Sequence, residues 1–138
     1  MEKPNRPPEP ADPDPRPEGA VAPSPEAVAR SIANDLLAIH EDSYGRAAHD
    51  AEAYVVGDTV IVILNRLELL PNEEFMIAQG RSDAVTELRT SYQQAIGPTF
   101  RAAVERATGR RVVGFASHAQ LDEEPRFALE VFKLGPGS

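Results

Sequence analysis

The chain has 138 residues, which suits a single domain, and it carries 14 Lys and Arg against 22 Asp and Glu, a formal net charge of −8. This acidity argues against a nucleic-acid backbone or an anionic membrane surface as the main partner. The chain contains no cysteine, so disulfides, thiolate metal sites and cysteine nucleophiles are excluded.

The N-terminal segment 1–23 differs in composition from the rest of the chain. Nine of the 13 prolines fall within the first 25 residues, where apolar side chains are few. Such a segment cannot bury enough apolar surface to offset the entropy lost on ordering. We therefore expect residues 1–23 to form a disordered, partly polyproline-II tail, followed by one domain over residues 24–138.

The first predicted helix begins at Ser24, since a serine N-cap followed by Pro25 is a typical helix start. Apolar side chains then recur at helical spacing, at Val28, Ile32, Leu36 and Ile39. The helix is expected to end near Ser43, with Gly45 as the stop.

Two β-rich segments, 52–56 and 59–65, flank the dipeptide Gly57-Asp58, which is a two-residue hairpin signal. The second segment holds the apolar run Val60–Leu64 and is expected to lie centrally in a sheet, covered on both faces. A bilayer-spanning helix needs about 20 apolar residues, so this run predicts no membrane span.

A second helix is expected from Pro71 and a longer third helix after Gly80, with apolar residues at near-regular helical spacing. A proline inside a helix costs about 3 kcal/mol, so we expect a kink or a break at Gly97-Pro98. Gly109 is the predicted stop of this helix, in the left-handed conformation that glycine tolerates best.

Strands over 111–117 and 126–134, joined by a polar loop over 118–125, complete the domain. The predicted fold class is α+β: a four-stranded, mostly antiparallel sheet with helices packed on it, in the order α-β-β-α-α-β-β. Both alternating sets of side chains in the last strand are substantially apolar. Either helices cover both sides of the sheet or one face meets another subunit, and the second option motivates a homodimer hypothesis.

No catalytic or metal-binding pattern is recognisable in the sequence. The histidines at positions 40, 49 and 118 lack the spacing of a helical metal site, and no nucleophile motif or phosphate-binding glycine loop is present. His118 and the carboxylates that follow it suit a hard cation in type, but a solvated polar loop is the simpler interpretation. We expect a protein that is not an enzyme and that has no cofactor and no metal.

Two helix-to-strand junctions share the dipeptide Gly-Arg, at Tyr44-Gly45-Arg46 and at Thr108-Gly109-Arg110. If the two helix ends are adjacent in space, Arg46, Arg110 and Arg111, with Tyr44 beside them, form one patch that binds a partner or an anion. The other interpretation is that these arginines are solvated and complement the dipoles of their helices.

Four segments, taken together, carry a family resemblance. They are HEDSYGR at His40–Arg46, the strand Val60–Leu64 with a Leu-x-x-x-Glu helix start after it, FRAAVERATGRRVV at Phe100–Val113, and LEVFKL at Leu129–Leu134. In this order, over Ile32–Leu134, the chain resembles the MpsC-like family.

The resemblance implies a soluble accessory or regulatory role in a sodium-translocating, membrane-potential-generating system that is linked to inorganic-carbon supply. It implies a cytoplasmic protein, peripheral to the membrane, whose partner is a membrane-protein subunit or a second copy of itself. It does not imply that this chain translocates an ion. The alternative function is a regulatory domain that senses a small anion at the Gly-Arg helix ends.

Overall fold

The computed structural model describes residues 23–45 and 48–137. Its elements, in chain order, are α1 Pro25–Tyr44, β1 Asp50–Val56, β2 Thr59–Asn65, α2 Pro71–Ala78, α3 Ser82–Thr108, β3 Val112–Gln120 and β4 Phe127–Leu134. The order confirms the predicted fold class. The expected tail over 1–23 falls, except for its last residue, outside the described residues.

The four strands form one antiparallel sheet in the order β1-β2-β4-β3. Each hairpin pairs its own strands, and β2 and β4 then join the two hairpins at the centre. The prediction that the apolar segment 59–65 is a central strand is therefore confirmed. The prediction that this strand is covered on both faces is wrong for the described part of the chain, because its residues alternate between buried and partly exposed. The edges of the sheet are β1 and β3.

Helices cover only one face of this sheet. The helix α1 packs against β1, α3 packs against β3, and the two helices pack against each other. Alternate residues of β2 and β4 are accordingly buried, as at Val60, Val62 and Phe132, while the residues between them keep partial exposure. Of the two alternatives for the last strand, helices on both sides is therefore wrong for the described part of the chain.

Helix α1 begins and ends as its sequence predicts. The Ser24 hydroxyl accepts a hydrogen bond from the backbone N–H of Ala27 at 3.1 Å, which satisfies one of the free donors of the first turn. Gly45 ends the helix with a φ of 82°, a left-handed conformation that a residue with Cβ adopts only at a cost.

The break expected at Gly97-Pro98 is absent, because α3 runs without interruption through Pro98. Packing of α3 against the rest of the domain stabilises the helix around Pro98. Phe100 is fully buried, and a Cβ atom built on Gly97 would lie 3.1 Å from the Phe115 ring, so glycine permits a close approach to β3. This tertiary packing outweighs the local cost of the proline.

Strand β3 is longer than predicted and reaches Gln120, so His118 lies in the strand and not in the loop. The pairing of His118 with Leu129 on β4 separates it from the loop carboxylates with which it had been grouped. Within 23–45 and 48–137, no group of three His, Asp or Glu side chains is placed to hold a metal ion.

Gly109 ends α3 with a φ of 71°, and no atom lies within 4 Å of a Cβ built there. Gly109→Ala is therefore expected to lower the free energy of unfolding by about 1 kcal/mol, through backbone strain alone. Gly114→Ala is the matched control, since its φ is not positive and its added Cβ meets Lys133 only at 3.5 Å. Urea unfolding of both variants measures the difference; a neutral or stabilising Gly109→Ala would contradict the assignment.

Candidate functional site

Four polar or aromatic side chains meet where the three helices come together, and a buried glutamine lies one turn further along α3; we name these five residues the polar junction. Helix α1 contributes His40 and Tyr44, α2 contributes Glu73, and α3 contributes Arg89 and Gln93. On α1 and on α3 the two residues are four positions apart, so each pair lies on one helical face. All of them except Tyr44 are at least 98% buried.

A bidentate ion pair lies at the centre of the polar junction. The Arg89 guanidinium donates from Nε to Glu73 Oε2 at 2.7 Å and from Nη2 to Oε1 at 2.8 Å, and Nη2 also donates to the Glu68 carbonyl at 2.9 Å. Burial by itself raises the pKa of Glu73. Hydrogen bonds from Arg89, Tyr44 and the backbone N–H of Leu70 outweigh burial and hold that pKa below its ordinary value.

The Tyr44 ring lies against this ion pair. Its centroid is 3.9 Å from Arg89 Cζ, a cation–π contact, and its hydroxyl donates to Glu73. The Tyr92 ring meets it edge-on at 4.7 Å and the His40 ring stacks at 5.8 Å. Burial and the hydrogen bond to Glu73 raise the pKa of Tyr44, so the phenol stays neutral.

Several atoms of the polar junction have no hydrogen-bond partner among the described residues: both ring nitrogens of His40, Arg89 Nη1 and Gln93 Oε1. Burial, and secondarily the charge of Arg89, lowers the pKa of His40 to about 4, so the imidazole is neutral at physiological pH. The ion pair is closed to solvent, with both side chains at most 3% exposed. This arrangement suits a joint between helices better than a site for a ligand from solution.

A second buried carboxyl group lies beneath the helices, at Glu130 in the middle of β4. It is fully buried between its pairing partners Val62 on β2 and Ser117 on β3. Burial raises the pKa of Glu130 to about 8, against a smaller opposing effect of the Ser117 hydroxyl. The side chain is therefore a neutral acid at pH 7, and neither of its carboxyl oxygens has a hydrogen-bond partner among the described residues.

The two sequence-predicted site residues Tyr44 and Arg110 lie far apart in the described structure. Tyr44 packs on Tyr92 in the first half of α3, whereas Arg110 follows the end of that helix, roughly 25 Å further along its axis. Arg111 is exposed beside Arg110, and Arg46 lies outside the described residues. The two helix ends are thus not adjacent, and binding of a partner or an anion by these four residues stays a prediction.

Arg110 is already engaged within the chain. Its Nη2 donates to Asp58 Oδ1 at 2.7 Å, and its Nε donates to the Gly135 carbonyl at 3.0 Å. These contacts tie the C-terminal end of α3 to the β1–β2 turn and to the residue after β4. The sequence indicated only that Gly109-Arg110 lies at a helix end. The hydrogen-bond partners of Arg110, Asp58 and Gly135, come from distant segments of the chain and could not be predicted.

The side of the sheet away from the helices is partly exposed in the described structure, and we name it the open face. The strand register arranges its residues in four rows across the sheet. Read from β1 through β2 and β4 to β3, the rows are Asp50-Asn65-Phe127-Gln120, Glu52-Ile63-Leu129-His118, Tyr54-Ile61-Val131-Ala116 and Val56-Thr59-Lys133-Gly114.

The open face has an apolar centre and a polar rim. Its four central residues are Ile61, Ile63, Leu129 and Val131. On the β1 side, Tyr54 and Val56 are 48% and 63% exposed, which is high for large apolar side chains. An apolar centre with a polar rim is typical of a protein–protein interface.

One corner of the open face is acidic. The Asn65 amide donates to Asp50 at 3.1 Å and to Glu52 at 2.7 Å, and the Tyr54 hydroxyl also donates to Glu52. The hydrogen bonds that Glu52 accepts, chiefly the one from Tyr54 and secondarily the one from Asn65, hold the pKa of Glu52 below its ordinary value. The carboxylate therefore keeps its charge at physiological pH, at the edge of an apolar surface.

Comparison with known proteins gives one match. A family model described as the Na⁺-translocating membrane potential-generating system (MpsC) matches residues 25–134, which span every helix and strand of the fold. Neither a curated protein nor a solved structure shows detectable similarity to the chain. In the part of the chain that the structure describes, no helix is both long enough and apolar enough to cross a membrane.

Proposed function

Because the chain belongs to the MpsC family of the Na⁺-translocating membrane potential-generating system, we propose that it is a soluble, non-enzymatic accessory protein of such a system. In this role it regulates or assembles the system by binding protein chains through the open face. The partners are a membrane-protein subunit of the system, which holds the protein at the cytoplasmic side of the membrane, and a second copy of the chain. Because both cover the same face, they bind it in turn and not together.

The observation that carries this proposal is the one-sided sheet. Helices bury one face, while the other presents Ile61, Ile63, Leu129 and Val131 at its centre. Each square ångström of apolar surface withdrawn from water contributes about 25 cal/mol, so covering this face with a partner is favourable. Its polar rim leaves room for directional contacts that select the partner.

The placement of the titratable groups supports binding over catalysis. His40 and Glu130, whose pKa values are shifted to about 4 and to about 8, are at least 98% buried. Catalytic acids and bases instead line a cleft that substrate enters. The buried ion pair between Glu73 and Arg89 is likewise closed to solvent and ties helices together.

The test is retention of the full chain by the membrane subunits of its own system, co-expressed and solubilised in mild detergent. We expect the wild-type chain to co-purify with them and Ile61→Lys to be lost, because a charge at the centre of the open face opposes its burial. Leu88→Lys is the matched control: Leu88 is an apolar residue on α3, on the other side of the sheet, and is 57% exposed. Equal retention of both variants, or no retention of the wild type, would contradict the proposal.

A further inference from the structure

We propose that the open face pairs with a second copy of the chain about a twofold axis that runs parallel to the strands and lies between the two sheets. The inference rests on the proposed role of the open face as a binding surface and specifies which residues meet across it. It follows from the four rows of the strand register.

Two sheets that pack face to face lie about 10 Å apart with their strands roughly aligned. A twofold axis parallel to the strands places each row of the open face opposite the same row of the partner, but with the order of the four strands reversed. Strand β1 of one protomer then lies opposite β3 of its partner, and β2 lies opposite β4. Each contact occurs twice, as in any interface with twofold symmetry.

This axis gives each carboxylate of the acidic corner a polar partner. Glu52 lies opposite the partner's His118, because the two residues occupy the same row at opposite edges of the sheet. Asp50 lies opposite the partner's Gln120 for the same reason. An imidazole and an amide both donate hydrogen bonds. They add to the donors that the carboxylates already have within their own chain, from Tyr54 and Asn65 to Glu52 and from Asn65 and Arg66 to Asp50.

The same axis also matches side-chain sizes. Tyr54, which stands out from β1, lies opposite the partner's Ala116, and Val56 lies opposite the partner's Gly114. At the centre, Ile63 meets the partner's Leu129. Large side chains at one edge thus meet small ones at the other, which is the alternation that fills the space between two sheets.

Other twofold axes fit the charges less well. An axis perpendicular to the strands places Glu52 against the partner's Tyr54 and Asp50 against the partner's Val56, so that Asp50 faces an apolar side chain. A diagonal axis pairs Glu52 with the partner's Lys133 but sets Asp50 against the partner's Gly114. Of these three axes, only the one along the strands sets both Glu52 and Asp50 against a hydrogen-bonding side chain of the partner.

The experiment is sedimentation velocity on the full chain from low to high micromolar concentration. We expect a dimer for the wild type, and an affinity at least about tenfold weaker for Glu52→Lys and for His118→Glu, since each sets like or less complementary charges face to face. The double variant restores affinity to within a few-fold of the wild type. Leu88→Lys, on the helical side, leaves it unchanged, and circular dichroism verifies that each variant is folded.

Three outcomes overturn the inference: a wild type that stays monomeric at high micromolar concentration, a double variant that is no better than its parents, or rescue of Glu52→Lys by Lys133→Glu instead of His118→Glu. A monomeric chain that the membrane subunits still retain contradicts this inference and the second copy as a partner, and it leaves the proposed binding of the membrane subunit standing. A dimer that those subunits do not retain contradicts the proposed function alone.

Discussion

Replacement of Arg89 by alanine is expected to lower the free energy of unfolding by about 3–5 kcal/mol. The variant leaves the Glu73 carboxylate buried without its countercharge, and it removes the hydrogen bond to the Glu68 carbonyl and the contact with the Tyr44 ring. Because these contacts link three helices, the loss acts on the whole fold.

Urea unfolding at neutral pH measures this effect. Arg81→Ala is the matched control, since Arg81 pairs with Asp83 at 3.8 Å with both side chains largely exposed, and a pair of that kind contributes about 0.5 kcal/mol or less. Arg89→Lys keeps the charge but not the bidentate geometry, so the free energy of unfolding that it loses should lie between the losses for Arg89→Ala and Arg81→Ala. A loss for Arg89→Ala no larger than that of the control would show that the ion pair is not essential to the polar junction.

The stability advantage of Glu130→Gln over the wild type is expected to grow by about 4–5 kcal/mol between pH 4.5 and pH 9. In the unfolded chain Glu130 ionises near its ordinary value of 4.5, whereas in the fold burial raises its pKa to about 8. Between these values the unfolded state binds fewer protons, so wild-type stability falls as pH rises. A glutamine of nearly the same shape has no proton to lose and removes this dependence.

Denaturant unfolding at a series of pH values tests this second result. Glu123→Gln, at an exposed position in the loop before β4, is the control and should track the wild type. A constant difference between Glu130→Gln and the wild type across the series would mean that the carboxyl group ionises as easily in the fold as outside it.

The effect of His40 on stability changes with pH in the opposite direction to that of Glu130, and the same denaturant series measures it. Burial lowers its pKa from 6.5 to about 4, so its contribution is complete above pH 6.5 and is lost as the pH falls towards 4. The contribution of Glu130 is complete below pH 4.5 and is lost as the pH rises towards 8. The two slopes cancel between about pH 4.5 and 6.5, where the wild type should be most stable.

Local chemistry determined much of the fold from the residues alone. Ser24 with Pro25, and the glycines at 45 and 109, mark helix ends because a capping hydroxyl and a left-handed glycine act within one turn of the chain. Alternation and hairpin composition likewise placed all four strands, since a strand's two faces are encoded by every second residue.

The candidate sites depended on tertiary structure to different degrees. The polar junction could not be read from the sequence, because Glu73 and Arg89 are 16 positions apart and resemble the surface charges around them. The open face could be predicted only in part. The apolar residues on both faces of β4 left two options, helices on both sides of the sheet or one face that meets another subunit. Only the packing of α1 and α3 on one side excluded the first option for the described residues.

The sequence alone determined the ends of α1, the C-terminal end of α3 and the approximate positions of the four strands along the chain, since each depends on interactions among neighbours in the chain. Only the tertiary structure decided that α3 continues through Pro98, that Tyr44 and Arg110 stand apart, and that one sheet face stays open. Those outcomes depend on contacts between residues far apart in sequence, such as Gly97 with Phe115, whose packing outweighs a local preference.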